Sequence, residues 1–339
     1  MYQHEIKAIN RSLKKTRKAI VSFGCSFVAG EGAVSVEILQ NYNYIGRRGV
    51  HAEIKFTNQA EKDDFLKKYP LVTVHSDGSL HLRQLERENA FVNVLCKKYF
   101  SKEYTPINFG LSGNGNKASI SQVNFLPNIN WHLIKELIVV YIPTDPARIG
   151  FVNDQFQDHA RFITMWPHHK AHKYSRGKLW DGYCESLYSE KFAFLEAIND
   201  VSHLRNWASN FNSKMIIFPA FNSYRKERFE EAILTQVRRH YKKTSLISNT
   251  VDNFSDKDRK IQQELIDKQW PWRNMWEPDG YTNWAHLVQC EYEDPTIDFH
   301  TYAGTGSPNY WFTSCMHPSS KAHDDLAQRL YNYITTELK

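Results

Sequence analysis

The residues best suited to chemistry lie in four short segments spread along the chain: Ser26, the pair Gly113-Asn114, the pair Thr144-Asp145, and His317. A serine hydroxyl is a weak nucleophile until a base takes its proton, and the oxyanion it generates needs N–H donors aimed at one point. A serine, a histidine and a glycine-bearing loop that exposes backbone N–H groups are the minimum machinery for acyl transfer. On its own His317 fits a capping or structural histidine equally well, so its position relative to the other segments decides its role.

The elements that must position these residues are legible. In Lys18–Gly32, KAIVSFGCSFVAGEG, the run Ala19-Ile20-Val21-Ser22-Phe23 reads as a short apolar strand. Gly24, Cys25 and Ser26 then form an abrupt turn. A hydroxyl at the carboxyl end of a strand is how many α/β sheets expose a reactive side chain, although an ordinary strand–loop junction has the same look. Cys25 is expected to point away from Ser26. Thr105–Gly110 reads as a second strand feeding the loop Leu111-Ser112-Gly113-Asn114-Gly115-Asn116. Leu137–Ile142 is apolar without a break, as in a parallel strand covered on both faces, and ends at Pro143-Thr144-Asp145-Pro146. Met215–Pro219 is a fourth strand, with a further short one at Leu246-Ile247.

Apolar residues at helical intervals predict helices over 85–99, 117–123, 186–211, 226–241 and 321–337, and one near 259–268. Residues 1–17 read as a polar, basic, solvated lead-in with a helical turn or two. Asp77-Gly78 marks a small β excursion near 70–84. Strands alternating with helices predict an α/β fold, a three-layer α/β/α sandwich on a parallel sheet. No linker divides the 339 residues. The expectation is one domain over 1–339 with large insertions at about 149–185 and 252–310.

Composition narrows the function classes. With 41% hydrophobic and 24% charged residues the chain folds rather than staying disordered. A net charge of +6 falls short of a nucleic-acid footprint, so no specific nucleic-acid binding is expected. Five dispersed cysteines without a CxxC pair support neither a disulfide framework nor a zinc–thiolate site. The absence of an apolar leader or membrane-length stretch predicts a cytoplasmic location and no membrane span. Neither GxGxxG nor GxxxxGK[ST] occurs, and no cofactor is expected. His168, His169 and His172 are dense, but neighbouring residues face apart and no carboxylate lies at a helical interval, so no metal is expected. Arg148 is suited to an anionic substrate group or to the surface. Trp270, Trp272 and Trp276 fit sugar stacking or a hydrophobic lid or core.

Taken in order, the four segments resemble the blocks of the SGNH (GDSL-like) hydrolases. Gly24-Cys25-Ser26-Phe27-Val28-Ala29-Gly30 is similar to the first block and places the family nucleophile on Ser26. Asn108-Phe109-Gly110-Leu111-Ser112-Gly113 is similar to the second, with Gly113 as oxyanion donor and Asn114 beside it. The third block falls on Ile142-Pro143-Thr144-Asp145, with Thr144 where the family has an oxyanion Asn. The last falls on Ser314-Cys315-Met316-His317-Pro318, making His317 the base and putting Ser314 where the family has an orienting Asp. The matched blocks cover about 18–150 and 213–337.

The resemblance implies a flavodoxin-like parallel sheet and a serine esterase or deacetylase acting on a small-molecule or glycan ester, an O-acetyl group on a carbohydrate above all. Two departures bear on activity. Thr144 is shorter than an Asn, and one lost oxyanion donor costs about 3–4 kcal/mol of transition-state stabilisation. The imidazole's orienting group is left to Ser314, to a carboxylate such as Asp145, Asp294 or Asp298, or to a backbone carbonyl. These departures keep a second reading in play: a non-catalytic member that binds a glycan or a protein. Gly-Cys-Ser-Phe is similar to the first block of divergent bacteriophage and bacterial members, which sets virion association beside the cytoplasmic expectation. The oligomeric state is left open.

Overall fold

Runs that are apolar on both strand faces must be covered on both sides, and the computed structural model covers two of them. The structure describes residues 3–48, 51–74, 76, 78–111, 115–125, 128–146, 148–153, 161–165, 181–182, 190–220, 260, 275–293, 296, 306–314 and 316–338. In chain order the first elements are α1 (Gln3–Thr16), β1 (Lys18–Gly24), α2 (Ser26–Ala29), α3 (Val36–Asn41), β2 (Asn43–Arg48), β3 (His51–Lys55) and α4 (Gln59–Lys68). Next come β4 (Thr73–Val74), β5 (Leu80–His81), α5 (Arg83–Glu88) and α6 (Phe91–Val94), which continues into a π-helical turn, Leu95–Tyr99. β6 (Thr105–Asn108), α7 (Asn116–Phe125), β7 (Glu136–Ile142), β8 (Ile149–Asn153) and β9 (Arg161–Met165) follow. The last are α8 (Glu190–Ala208), β10 (Ser213–Ile217), α9 (Trp284–Tyr292) and α10 (Ser320–Thr336).

β1 and β7 are the two apolar runs, each buried from its second residue to its last. They pair in parallel along their whole length, Lys18 opposite Glu136 and Gly24 opposite Ile142. β6 flanks β1 and β10 flanks β7, both parallel, giving the order β10-β7-β1-β6. The chain goes from β1 to β6 on one side, then crosses to β7 and β10 on the other. Its direction of travel reverses beside β1, and in open α/β sheets the ligand crevice lies beyond the strand ends at that point. Residues 25–26 and 143–144 leave the sheet side by side there.

Alternation along the strands sends neighbouring side chains to opposite layers. Ala19, Val21, Phe23, Val139 and Tyr141 share a core with Leu13 of α1 and Val201 and Leu204 of α8. Ile20, Ile138, Val140 and Ile142 share the other with Phe91 of α6, Trp284 of α9 and Leu326 and Leu330 of α10. Helices therefore cover both faces, in a three-layer α/β/α arrangement. Among the described residues no further strand pairs with β6. Pro106 has no N–H to offer, and Arg87, paired with Glu5 at 3.3 Å, donates from Nη2 to the Asn108 carbonyl at 3.0 Å. At the opposite edge Met275 bridges Ile217, and the Trp276 N–H donates to the Ile217 carbonyl at 3.0 Å.

Several sequence expectations change. The lead-in is a full helix: Ile6, Ile9 and Leu13 form an apolar stripe that a polar average conceals, and Ile6 and Leu13 are buried. Lys14 and Lys15 stay exposed at its carboxyl end, where the helix dipole favours cations. Lys18 is not a free solvated cation, since it pairs with Glu103 at 2.5 Å and Glu136 at 3.2 Å. The helix expected over 85–99 breaks at Asn89-Ala90, where Ala90 is extended. The β excursion near 70–84 exists and is larger than expected. β4 and β5 join the β2–β3 hairpin in an antiparallel sheet of order β2-β3-β5-β4. That unit has its own small core of Val34, Ile38, Phe65, Val72, Leu80 and Leu82. The insertion expected at about 149–185 begins with the antiparallel hairpin β8–β9. The strand at Leu246-Ile247 and the helices over 226–241 and near 259–268 lie outside the described residues. No described helix is long and apolar enough to cross a membrane.

Candidate active site at the carboxyl ends of β1 and β7

The turn after β1 is built to hold Ser26 in one place. Cys25 caps the single turn of α2 in an extended conformation, and its carbonyl accepts from the Ala29 N–H at 3.0 Å. Gly30, left-handed at φ +83, ends that turn. The Glu31 N–H then folds back onto the Ser26 carbonyl at 3.0 Å. Behind the turn, the Gly24 N–H donates to Ser119 Oγ at 2.8 Å, which itself donates to the Phe109 carbonyl at 2.9 Å. Ser26 is 8% exposed and Cys25 is fully buried.

Asn108 ties the end of β6 to this turn. Its Nδ2 donates to the Val28 carbonyl and its Oδ1 accepts from the Gly110 N–H, both at 2.8 Å. At the end of β7, Asn116 brackets the backbone of Thr144, accepting its N–H at 2.7 Å and donating to its carbonyl at 3.3 Å. Thr144 is therefore fixed at the crevice, but it is fully buried. Asp145 and Arg148 are half-buried, and the Arg148 N–H donates to the Asp145 carbonyl at 3.1 Å. Gly113 and Asn114, the expected oxyanion donors, lie outside the described residues.

His317 arrives on a tight loop just before α10. The Thr313 N–H and Oγ1 both donate to the His317 carbonyl, at 2.9 and 3.2 Å, and Met316 is left-handed at φ +62. Pro318 bridges Phe312, and the Ser320 N–H donates to the Val34 carbonyl at 3.1 Å, stitching the loop to the segment after Ser26. The imidazole lies 5.8 Å from the Phe27 ring, centroid to centroid. A Cβ added at Gly32 would stand 2.7 Å from His317 Cβ, so only a glycine allows this approach. The histidine is thus seated on the Ser26–Gly32 turn. No hydrogen bond joins these two described residues, Ser26 and His317.

A carboxylate that the sequence reading did not single out meets this histidine: Glu31 Oε2 lies 3.3 Å from His317 Nε2. Both side chains are largely enclosed, 11% and 21% exposed. The neighbouring Gly32 N–H donates to the carboxylate of Glu86, itself 1% exposed, at 3.2 Å. Ser314, one of the groups expected to orient the imidazole, directs its hydroxyl to the Tyr44 carbonyl at 3.5 Å. Asp294 and Asp298 lie outside the described residues. One signal in the sequence marks Glu31: it is the only charged side chain in the otherwise small and apolar run from Phe27 to Val34.

Other candidates separate from this crevice. Trp276 is buried against Phe218, with ring centroids 5.2 Å apart, and belongs to the core. Trp270, Trp272, His168, His169 and His172 lie outside the described residues, among which no cluster of three metal-ligating side chains occurs. Compared with protein-family models, with curated proteins and with solved structures, the chain matches none.

Proposed function

We propose that the chain is a serine esterase of the SGNH type on a flavodoxin-like sheet, hydrolysing an ester such as an O-acetyl group on a carbohydrate. One observation carries this reading. His317 is brought from the far end of the sequence onto the turn that bears Ser26, at the point where the strand order reverses. In the reaction Ser26 Oγ attacks the acyl carbonyl while His317 takes its proton, and the N–H groups of Ser26 and Gly113 hold the oxyanion, with Asn114 and Thr144 as auxiliary donors. The alcohol leaves with the proton from His317. Water, deprotonated by the same imidazole, then releases the acid.

The test is covalent. A fluorophosphonate probe is expected to label the wild type at Ser26, and Ser26→Ala and His317→Ala to abolish labelling. Short-chain aryl ester turnover should follow the same order. Equal labelling of wild type and Ser26→Ala would sink the reading.

A second reading is favoured by the missing Ser26–His317 hydrogen bond and the burial of Thr144: a non-catalytic protein that binds a glycan or a protein partner, within a phage particle or a bacterial surface-modifying system. It expects no labelling at all, and ligand binding that survives Ser26→Ala.

A further inference from the structure

Among the described residues at the crevice, Glu31 and His317 face each other with both side chains largely enclosed. Glu31 follows Ser26 by five residues, and its backbone N–H bonds to the Ser26 carbonyl at 3.0 Å. The carboxylate and the nucleophile are therefore held on one rigid turn. Gly30 and Gly32, both left-handed at φ +83 and +77, flank Glu31 and fix where its side chain leaves the backbone. The Gly32 N–H is anchored on Glu86, and the Gly32 Cα admits His317 without a side chain between them. Glu31 and His317 are each pinned by their own backbone, and the two meet at 3.3 Å.

We propose that Glu31 is the positioning carboxylate of this site, in the role that Ser314 does not fill. This rests on the esterase reading above. An imidazole has two tautomers, and only one presents its basic lone pair to the nucleophile. A carboxylate accepts hydrogen bonds and cannot donate one, so a contact to Nε2 selects the Nε2–H tautomer and leaves the lone pair on Nδ1. The proton of Ser26 Oγ passes to Nδ1 as the Oγ–acyl bond forms, and the carbonyl electron pair moves onto the oxyanion. The imidazolium gives that proton to the departing alcohol as the acyl–oxygen bond breaks. Nε2–H stays on Glu31 throughout, and the carboxylate faces the positive charge only while it exists. That charge is confined to the transition state and intermediate, so the contribution falls on the chemical step rather than on substrate binding.

The experiment compares Glu31→Gln and Glu31→Asp with the wild type by two readouts. The first is the ¹⁵N spectrum of the His317 imidazole in protein at rest, which needs no activity. Wild type is expected in the Nε2–H form. In Glu31→Gln the amide N–H donates to Nε2 and shifts the ring toward the Nδ1–H form. The second is the rate of fluorophosphonate labelling. Glu31→Gln is expected to slow it by up to about 10⁴-fold, the loss seen when the buried carboxylate of a serine-protease triad is replaced by its amide. Glu31→Asp keeps the charge and is expected to recover most of that loss. Thermal melting confirms that each variant folds.

The failures separate. A wild type that labels normally, with Glu31→Gln labelling at the same rate, overturns the role of Glu31 and leaves the esterase reading standing. Absence of labelling in the wild type overturns the esterase reading and the catalytic role of Glu31 with it. Identical imidazole spectra in wild type and Glu31→Gln overturn the assignment of the tautomer to Glu31.

Discussion

Gly110→Ala is expected to lower stability by at least ~3 kcal/mol and to abolish labelling of Ser26 in whatever fraction folds. A Cβ at Gly110 would lie 2.2 Å from the Ala29 nitrogen, 2.5 Å from the Val28 carbonyl carbon and 2.7 Å from Ala29 Cα. Overpacking against side chains typically costs about 1–3 kcal/mol, because side chains can turn aside. Here all three neighbours are backbone. Nor can the two segments part freely, since Asn108 clamps Val28 on one side and Gly110 on the other. Relief requires moving α2, and α2 begins with Ser26. Gly78→Ala is the control: it sits at φ +81 with nothing within 4 Å, so it carries only the left-handed penalty of about 1–2 kcal/mol. Urea midpoints of the two variants decide the matter. A Gly110→Ala midpoint no lower than that of Gly78→Ala would overturn the close-approach argument.

That glycine also shows why some features were readable and others were not. β1 and β7 are legible because burial on both faces requires an unbroken apolar run, and few other environments require one. α10 is equally legible from Leu326, Leu330 and Ile334. The order β10-β7-β1-β6 is not written in any local pattern, since it depends on which crossover passes which face. The break at Asn89-Ala90 was missed for a related reason. Apolar spacing continues through it, while the feature that stabilises the restart is a histidine far along the chain: His323 Nδ1 accepts the Phe91 N–H at 3.1 Å. α1 was misjudged because its charged residues outweigh three well-spaced apolar ones in any average.

For the site, block order brought out Ser26 and His317, and the loop that carries His317 packs against the turn that carries Ser26. For the partner of His317 the sequence offers Ser314, at the separation the resemblance implies, or a carboxylate from elsewhere such as Asp145, Asp294 or Asp298, or a backbone carbonyl; Glu31 is not among them. Charge pairing is a matter of space, and the carboxylate that meets the imidazole sits on the turn that carries Ser26. Asn116 was passed over for a different reason. It looked like the tail of a glycine-rich loop, yet it accepts and donates to the backbone of Thr144 and so fixes the end of β7.

As pH falls, the protein is expected to lose a stabilising contribution from His323, beginning near pH 6.5. This imidazole is fully buried, its ring centroid 4.9 Å from that of Trp284 and 6.3 Å from that of Phe91. With Nδ1 accepting from Phe91, the ring proton resides on Nε2, which has no partner among the described residues. A second proton would have to go on Nδ1, where it would face the Phe91 N–H donor to donor. Burial, with the nearby His317 acting in the same direction, pulls the group from its ordinary 6.5 down to about 3. Between those values the unfolded chain binds a proton that the folded chain refuses, so stability falls as pH falls, by on the order of 1.4 kcal/mol per pH unit. The contribution is complete above pH 6.5 and is lost by the time pH has dropped through about 3. Asp200, pushed up to about 7 by burial, acts with the opposite sign, since its folded form holds a proton that the unfolded chain releases above 3.8. The wild-type curve is therefore flatter than His323 alone would make it. The difference between wild type and His323→Gln removes Asp200 from the comparison. That difference, from urea melts at pH 7.5, 6.5, 5.5 and 4.5, is expected to hold steady above 6.5 and to shrink by ~1.4 kcal/mol per unit below it. A gap independent of pH would show that His323 does not govern the acid limb. The position matters for the site because the Trp284 ring lies 5.7 Å from Phe27, and Phe27 lies 5.8 Å from His317. Charging His323 is expected to loosen the floor under His317.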